Sequence, residues 1–163
     1  MASTYTPIAT YTTTGSVASY TFSSIPSTYT DLVLICNNLV ENTNQQGYIR
    51  FNSDSGTNYS RTVMYGNGTS AASFRGTNQT GLNVGMSANT GGQYIKLDIL
   101  NYANTTTYKS ALDREGNASG STNAAAFLWR STSAINSITI ASFDGSSSIQ
   151  SGASLTLYGI LAA

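Results

Sequence analysis

The acidic residues come first, because a pair of carboxyl groups is the simplest catalytic machinery that this sequence could assemble. The chain has no histidine and one cysteine, and only 9% of its 163 residues are charged. Among its seven acids, only Asp113 and Glu115 lie close together in sequence. A glycosidase needs two carboxyl groups that flank the scissile bond of a sugar. Since Gly116-Asn117 predicts the end of a strand, we interpret this pair as a strand-end salt bridge or loop surface.

The sequence gives little support for a metal site or a phosphate-binding loop. Zinc sites draw on several histidine and cysteine ligands, which this sequence lacks. Asn52–Gly56 has clustered oxygen atoms without the spacing or final glutamate of an EF-hand loop, so Asx turns are the better interpretation. Gly66–Gly68 is followed by neither Lys-Ser/Thr nor a helix, and it predicts a hairpin turn. We therefore expect no enzyme activity, no metal and no cofactor.

Tyrosine is the residue type best suited to binding, because it offers a large, stiff contact area with a polar tip. Eight tyrosines fall on predicted solvent faces or in loops: Tyr5, Tyr11, Tyr29, Tyr59, Tyr65, Tyr94, Tyr102 and Tyr108. Tyr59, Tyr65, Tyr94 and Tyr108 are the candidate contact residues among them. The alternative is that tyrosine simply fills pleated strand surface, which it favours.

Charge and termini limit the possible partners. The net charge is zero, and no cluster of lysine and arginine exists to hold nucleic acid or a membrane surface. Low charge gives little protection against association, which fits an oligomer or a part of a larger particle. Met1–Pro7 lacks the features of a signal peptide, and Leu32–Cys36 is too short to span a bilayer. We expect a soluble product of the cytoplasm, with Cys36 as a small buried hydrophobe.

Short strands separated by turn residues run through the whole chain. Tyr94–Ile99 alternates with Ile95, Leu97 and Ile99 on one face, the pattern of a half-buried strand. Leu32–Cys36 is apolar on both faces and predicts a central strand. The ten predicted strands are Ile8–Thr13, Ser19–Ile25, Leu32–Cys36, Gly47–Asn52, Tyr59–Tyr65, Tyr94–Ile99, Lys109–Arg114, Ala125–Arg130, Ile135–Ile140 and Ser154–Ile160.

About ten such strands predict an all-β protein, an antiparallel two-sheet β-sandwich. We expect residues 15–163 to form one sandwich domain, with 1–14 as an extended arm or a first strand. An arm of this kind could add a strand to a neighbouring subunit. Phe127 and Trp129 are assigned to the core, because large aromatic side chains bury well in a sandwich.

Four segments, in order along the chain, resemble a family of small virion structural proteins of tailed bacteriophages and the terminal domain of some phage tail fibres. These segments are Ser23–Leu32, Leu112–Ala118, Trp129–Thr139 and Leu155–Ile160. The resemblance covers nearly the full length and concerns segments that define a fold, not catalytic motifs. It implies a jelly-roll-like β-sandwich on the outside of a phage particle.

The sequence and the resemblance together suggest three hypotheses for the function of the protein. The first is a non-enzymatic capsid decoration or cement protein at the virion surface. Such a protein would self-associate as a trimer and bind other virion proteins, above all the major capsid protein. The second is a receptor-binding tail fibre or fibre tip that contacts host surface polysaccharide. The third is a glycan depolymerase built on Asp113 and Glu115, which their predicted position disfavours.

Overall fold

A computed structural model describes residues 4–41, 47–85, 87–88, 92–117, 120–142 and 147–161. These residues form strands and turns and contain no helix, so the predicted all-β class is confirmed. The strands of the described residues are β1 (Tyr5–Thr12), β2 (Ser19–Phe22), β3 (Asp31–Glu41), β4 (Gly47–Phe51), β5 (Tyr59–Gly66), β6 (Ala71–Gln79), β7 (Leu82–Val84), β8 (Ser87–Ala88), β9 (Gln93–Leu100), β10 (Lys109–Gly116), β11 (Thr122–Trp129), β12 (Ile138–Ser142) and β13 (Ser154–Ile160).

Two sheets of unequal width make up the described fold. The large sheet has the strand order β1-β13-β3-β9-β10-β11-β5-β6, and the small sheet has the order β2-β12-β4-β7. Neighbours in both sheets are antiparallel, and the two-residue β8 pairs in parallel with the end of β3. The predicted two-sheet antiparallel sandwich is therefore confirmed. Because the large sheet is twice as wide, the small one covers only part of its inner face.

The core lies between the sheets and follows the period-two alternation of the strands. On β9, Ile95, Leu97 and Ile99 are buried and pack with residues of the small sheet such as Ile49 and Ile140. The predicted inward face of β9 is thus confirmed. Cys36 is buried on β3, and burial raises the pKa of its thiol, with the nearby Asp113 adding to the effect. The thiol is therefore an unreactive part of the core.

Trp129 is the centre of an aromatic cluster at one end of the sandwich. Its ring lies 5.6 Å from that of Phe51 and 6.2 Å from that of Tyr59. The indole N–H donates to Asp54 Oδ2 at 2.7 Å, and Asp54 Oδ1 accepts from the amide of Gly56 at 2.8 Å. The predicted core position of Trp129 and the predicted Asx turn at 52–56 are both confirmed. This turn satisfies the indole N–H, which would be costly to bury alone.

Tyr59 and Tyr102 are buried, so the prediction that they face solvent is wrong for both. Tyr59 shares its face of β5 with the buried Val63, and its hydroxyl accepts from the amide of Phe51 at 3.1 Å. The Tyr102 hydroxyl donates to the carbonyl of Pro26. In each case a backbone partner satisfies the polar tip, so the ring can contribute apolar area to the core.

The ten predicted strands correspond to ten of the observed ones, and the sequence pattern missed β6, β7 and β8. Ala71–Gln79 has no fully buried residue and no apolar alternation, since β6 is the edge strand of the large sheet and its side chains are largely exposed. Asn67–Ser70 makes the turn before it, with Gly68 at a positive φ of 84°, as the predicted hairpin requires.

Residues 5–12 of the predicted arm form β1, which pairs with β13 of the same chain at the other edge of the large sheet. Tyr11 stacks face to face on Tyr20 of β2 at 3.9 Å, so this strand also contacts the small sheet. The buried Thr13 then accepts from the amide of Ala153 at 2.8 Å through its hydroxyl. Residues 1–3 lie outside the described residues.

Candidate functional site

The candidate tyrosines that reach the surface do not share one surface. Tyr65 is 39% exposed and lies on the inner face of β5, beyond the edge of the small sheet. Tyr94 is 43% exposed and lies on the outer face, opposite Gly116. Tyr108 is exposed just before β10, at the other end of that strand. The structure therefore brings none of them together, and it removes Tyr59 from the surface altogether.

A cavity of about 350 Å³ with a mixed polar and apolar lining lies where the small sheet ends above the inner face of β5, β10 and β11. We call it the inter-sheet cavity. Its polar lining residues are Arg61, Asn67, Asn83, Asp113, Glu115, Ser121 and Asn123. Tyr65 and Phe74 are its exposed aromatic lining residues.

Asp113 is a buried carboxyl group in the wall of this cavity. The strand register places it between Leu97 and Ala125, in an otherwise apolar row of the inner face. No hydrogen bond of normal geometry reaches either of its oxygens among the described residues, and the backbone amide of Arg114 lies close enough only to lower its pKa against the larger effects. Burial and then the charge of Glu115 raise its pKa to about 8, against the opposing effect of Arg114. The protonated form of Asp113 is therefore favoured at neutral pH.

Glu115 lies beside Asp113 on the same face and links the two sheets. Its Oε2 accepts from the backbone amide of Gly85, just after β7, at 2.6 Å. Its Oε1 accepts from the side-chain amide of Asn123 on the adjacent strand. Gly116-Asn117 ends β10, as predicted, but the expectation of a salt bridge or loop surface is wrong, because both acids lie on the inner face of the strand and Glu115 accepts from N–H donors there. An N–H donor holds each Glu115 oxygen in place.

Arg61 brings a positive charge to the same cavity. Its Nη1 donates to the carbonyl of Asn83 on β7 at 2.9 Å, and its guanidinium carbon lies 4.9 Å from the centre of the Phe74 ring. The Nε of Arg61 is buried and has no hydrogen-bond partner among the residues described. Tyr65 packs edge-on against Phe74 at 6.3 Å. An aromatic pair and a half-buried cation thus form the side of the cavity towards β6.

The lining of this cavity offers polar and aromatic groups that could contact a bound molecule. Asp113 and Glu115 are side by side on one strand face, whereas a glycosidase places its two carboxyl groups on opposite sides of the bond it cleaves. No group of three histidine, cysteine or acidic side chains that could hold a metal occurs within the described part of the chain, from which Asp144 is absent. The cavity therefore offers hydrogen bonds and an aromatic contact.

A second feature lies on the opposite face of the large sheet. Met64 and Leu112 are 64% and 49% exposed, and they border a groove of about 370 Å³ floored by Thr62, Ala124 and Ala126. We call this the outer groove. The strand register places Met64 beside Ala124 and Leu112 beside Ala126. Because the alanine side chains are small, the space between the Met64 and Leu112 side chains stays open and forms the groove.

Charged residues flank the outer groove on one side. Asp98 accepts from Lys96 at 2.5 Å and from Arg114 at 2.9 Å, so it bridges two cations on adjacent strands. Arg114 is largely exposed and lines the groove together with Asp98. The outer groove thus combines small and apolar side chains with a charged border.

Comparison with protein-family models and with curated protein sequences finds no match. Within the residues described, no helix is long and apolar enough to cross a membrane.

Sequence reasoning missed the residues that form both features, notably Arg61, Phe74, Met64 and Leu112. One signal was available: Ala111 and Asp113 share a face of β10, so Leu112 faces the other way. A strand that buries Asp113 turns Leu112 to the opposite face. Phe74 gave no comparable signal, because β6 has no apolar alternation.

Proposed function

We propose that this protein is a non-enzymatic structural protein of a tailed-phage virion, and that it decorates the capsid by placing its outer groove against a capsid subunit. The outer groove carries this proposal. Met64 and Leu112 expose apolar surface on the flat face of an antiparallel sheet, where polar side chains are usual. Covering such a face in an assembly removes that surface from water.

The strand order supports the jelly-roll-like fold that the resemblance implies. β13 lies between β1 and β3 in the large sheet, and β12 lies between β2 and β4 in the small sheet. The chain crosses between the sheets at each step from β1 to β4 and again from β12 to β13. We infer a jelly-roll-like topology. The hairpins β5–β6 and β10–β11 add further strands to one side of its large sheet.

Self-association, as a trimer, is part of the proposal. Since the outer groove is assigned to the capsid subunit, contact between copies uses other surfaces of the sandwich. The low charge of the chain gives little protection against such association. Sedimentation equilibrium of the purified protein measures the oligomeric state directly, and a monomer at every concentration would contradict this part.

The alternative is a receptor-binding tail fibre or fibre tip that contacts host polysaccharide. The inter-sheet cavity favours it, because Tyr65 and Phe74 stand exposed beside the polar groups of Arg61 and Asn123. Aromatic and amide side chains of this kind suit contact with sugars.

The deciding experiment is the copy number of this protein per purified virion, measured by quantitative mass spectrometry against the major capsid protein. We expect a number comparable to that of the capsid protein, because a decoration protein occupies the whole shell. A small fraction of that number would overturn the decoration proposal in favour of a tail component. Absence from the virion would overturn both.

A further inference from the structure

We propose that the inter-sheet cavity binds a neutral hydroxylated ligand, a pyranose unit of a saccharide, with Asp113 and Arg61 as its inner hydrogen-bonding partners and Tyr65 and Phe74 as its aromatic wall. This inference deepens the receptor-binding alternative. It rests on the cavity and not on the outer groove, so it stands or falls independently of the capsid proposal.

The first support is an incomplete set of hydrogen bonds. Both oxygens of Asp113 and the Nε of Arg61 are buried, and no hydrogen bond of normal geometry reaches any of the three atoms among the described residues. Buried polar groups are normally satisfied, because each unsatisfied one costs about 1–3 kcal/mol. A hydroxyl group both donates and accepts, so neighbouring hydroxyls of one sugar can serve a carboxyl group and a guanidinium N–H together.

The second support is the charge of the cavity. With Asp113 protonated, as its burial beside Glu115 favours, the remaining charges are those of Glu115 and Arg61. These two charges offset each other, so the cavity attracts neither a cation nor an anion strongly. The N–H groups of Gly85 and Asn123 already hold the Glu115 oxygens, which further disfavours a metal ion. A neutral polar ligand fits this balance.

The third support is shape. The cavity volume of about 350 Å³ lies at the lower end of the usual range for small-molecule sites, about 300–1,000 Å³, which is room for a sugar unit. Tyr65 and Phe74 are both exposed and pack edge-on against each other. A pyranose has an apolar face of C–H groups that can lie against such rings while its hydroxyls point to the polar wall.

The test is NMR on the full chain, with D-glucose, D-galactose, D-mannose, L-rhamnose and N-acetyl-D-glucosamine as separate millimolar probes. We expect saturation transfer from the protein to show that at least one probe binds. In the amide correlation spectrum of the protein, the same probe should shift the backbone amide signal of Gly85, which donates to Glu115 in the cavity. Tyr65→Ala is expected to weaken the affinity about tenfold, the effect of losing roughly 1.4 kcal/mol of ring contact. Tyr94→Ala, at a similarly exposed tyrosine of the opposite face, is the matched control and should bind like the wild type.

A wild-type protein that binds none of the five probes would overturn the inference. So would binding that Tyr94→Ala weakens as much as Tyr65→Ala does, since this indicates non-specific contact with exposed rings. Asp113→Leu removes the buried carboxyl group and should also reduce binding; if this variant does not fold, the comparison at Tyr65 and Tyr94 still decides. The protein could bind a saccharide and also be as abundant in the virion as the major capsid protein. That result would support this inference and would contradict the role as a receptor-binding tail fibre.

Discussion

Leu112 and Asp113 are consecutive residues of β10, and the leucine is half exposed whereas the aspartate is 2% exposed. This reverses the usual pattern, in which the apolar residue is buried and the charged one faces water. Each half of the pair marks one of the two features described above: Leu112 borders the outer groove, and Asp113 lines the inter-sheet cavity. Burial of a carboxyl group and exposure of a leucine both disfavour folding.

The buried carboxyl group of Asp113 should make stability depend on pH. Its pKa is about 8 in the folded protein and 3.8 in the unfolded reference, so folding takes up a proton between these values. The contribution of Asp113 protonation to the free energy of unfolding is therefore fully present below pH 3.8, and it is lost as the pH rises towards 8. We expect this group to lower the unfolding free energy by about 1.4 kcal/mol per pH unit between pH 5 and 7.

Urea unfolding of the wild type and of Asp113→Asn at several pH values measures this effect. The asparagine variant keeps the shape of the side chain and cannot ionise, so the difference between the two unfolding free energies should change with pH at that slope. Parallel curves would show that Asp113 is ionised in the folded protein or is not buried.

The hydroxyl group of Tyr59 should contribute measurably to stability. It accepts from the Phe51 amide inside the core, so Tyr59→Phe leaves a buried N–H without this partner. We expect a loss of about 1–3 kcal/mol of unfolding free energy in chemical denaturation. Tyr108→Phe removes the same hydroxyl at an exposed position and should change stability by less than about 0.5 kcal/mol. Equal effects of the two substitutions would contradict the buried position of Tyr59.

Substitution in the outer groove should separate folding from assembly. Leu112→Lys places a charge on an already exposed side chain, so the unfolding free energy should change by less than about 0.5 kcal/mol. If the groove faces a capsid subunit, the charge should abolish co-sedimentation with phage capsids and leave self-association, measured by sedimentation velocity, unchanged. The control is Leu161→Lys, at a similarly exposed leucine just after β13. Retained co-sedimentation of Leu112→Lys with capsids would exclude the groove as the contact.

Removal of residues 1–10 should destabilise the domain itself. Ile8 and Ala9 of β1 pack against the core, and β1 pairs with β13 along its length. From the apolar area involved, we expect a loss on the order of 3 kcal/mol, seen as a lower midpoint of urea unfolding. An unchanged midpoint would show that these residues detach freely and would restore their role as an arm for a neighbouring subunit.

The sequence by itself determined the class and most of the strands, because period-two alternation is local. The inward positions of Ile49, Ile95 and Leu97, and the core position of Trp129, could all be predicted from the residues beside them. The burial of Tyr59 was also within reach, since it lies four residues before the apolar Val63 on one strand and so shares its face.

Only the tertiary structure decided what the second sheet covers. Alternation gives two faces of a strand, but it does not say where a four-stranded sheet ends above an eight-stranded one. That end position opens the inter-sheet cavity, brings Asn83 and Gly85 of the β7 region to Arg61 and Glu115, and leaves Phe74 exposed at the far edge. These contacts join residues up to 30 positions apart, and they depend on pairings between strands that no local pattern records.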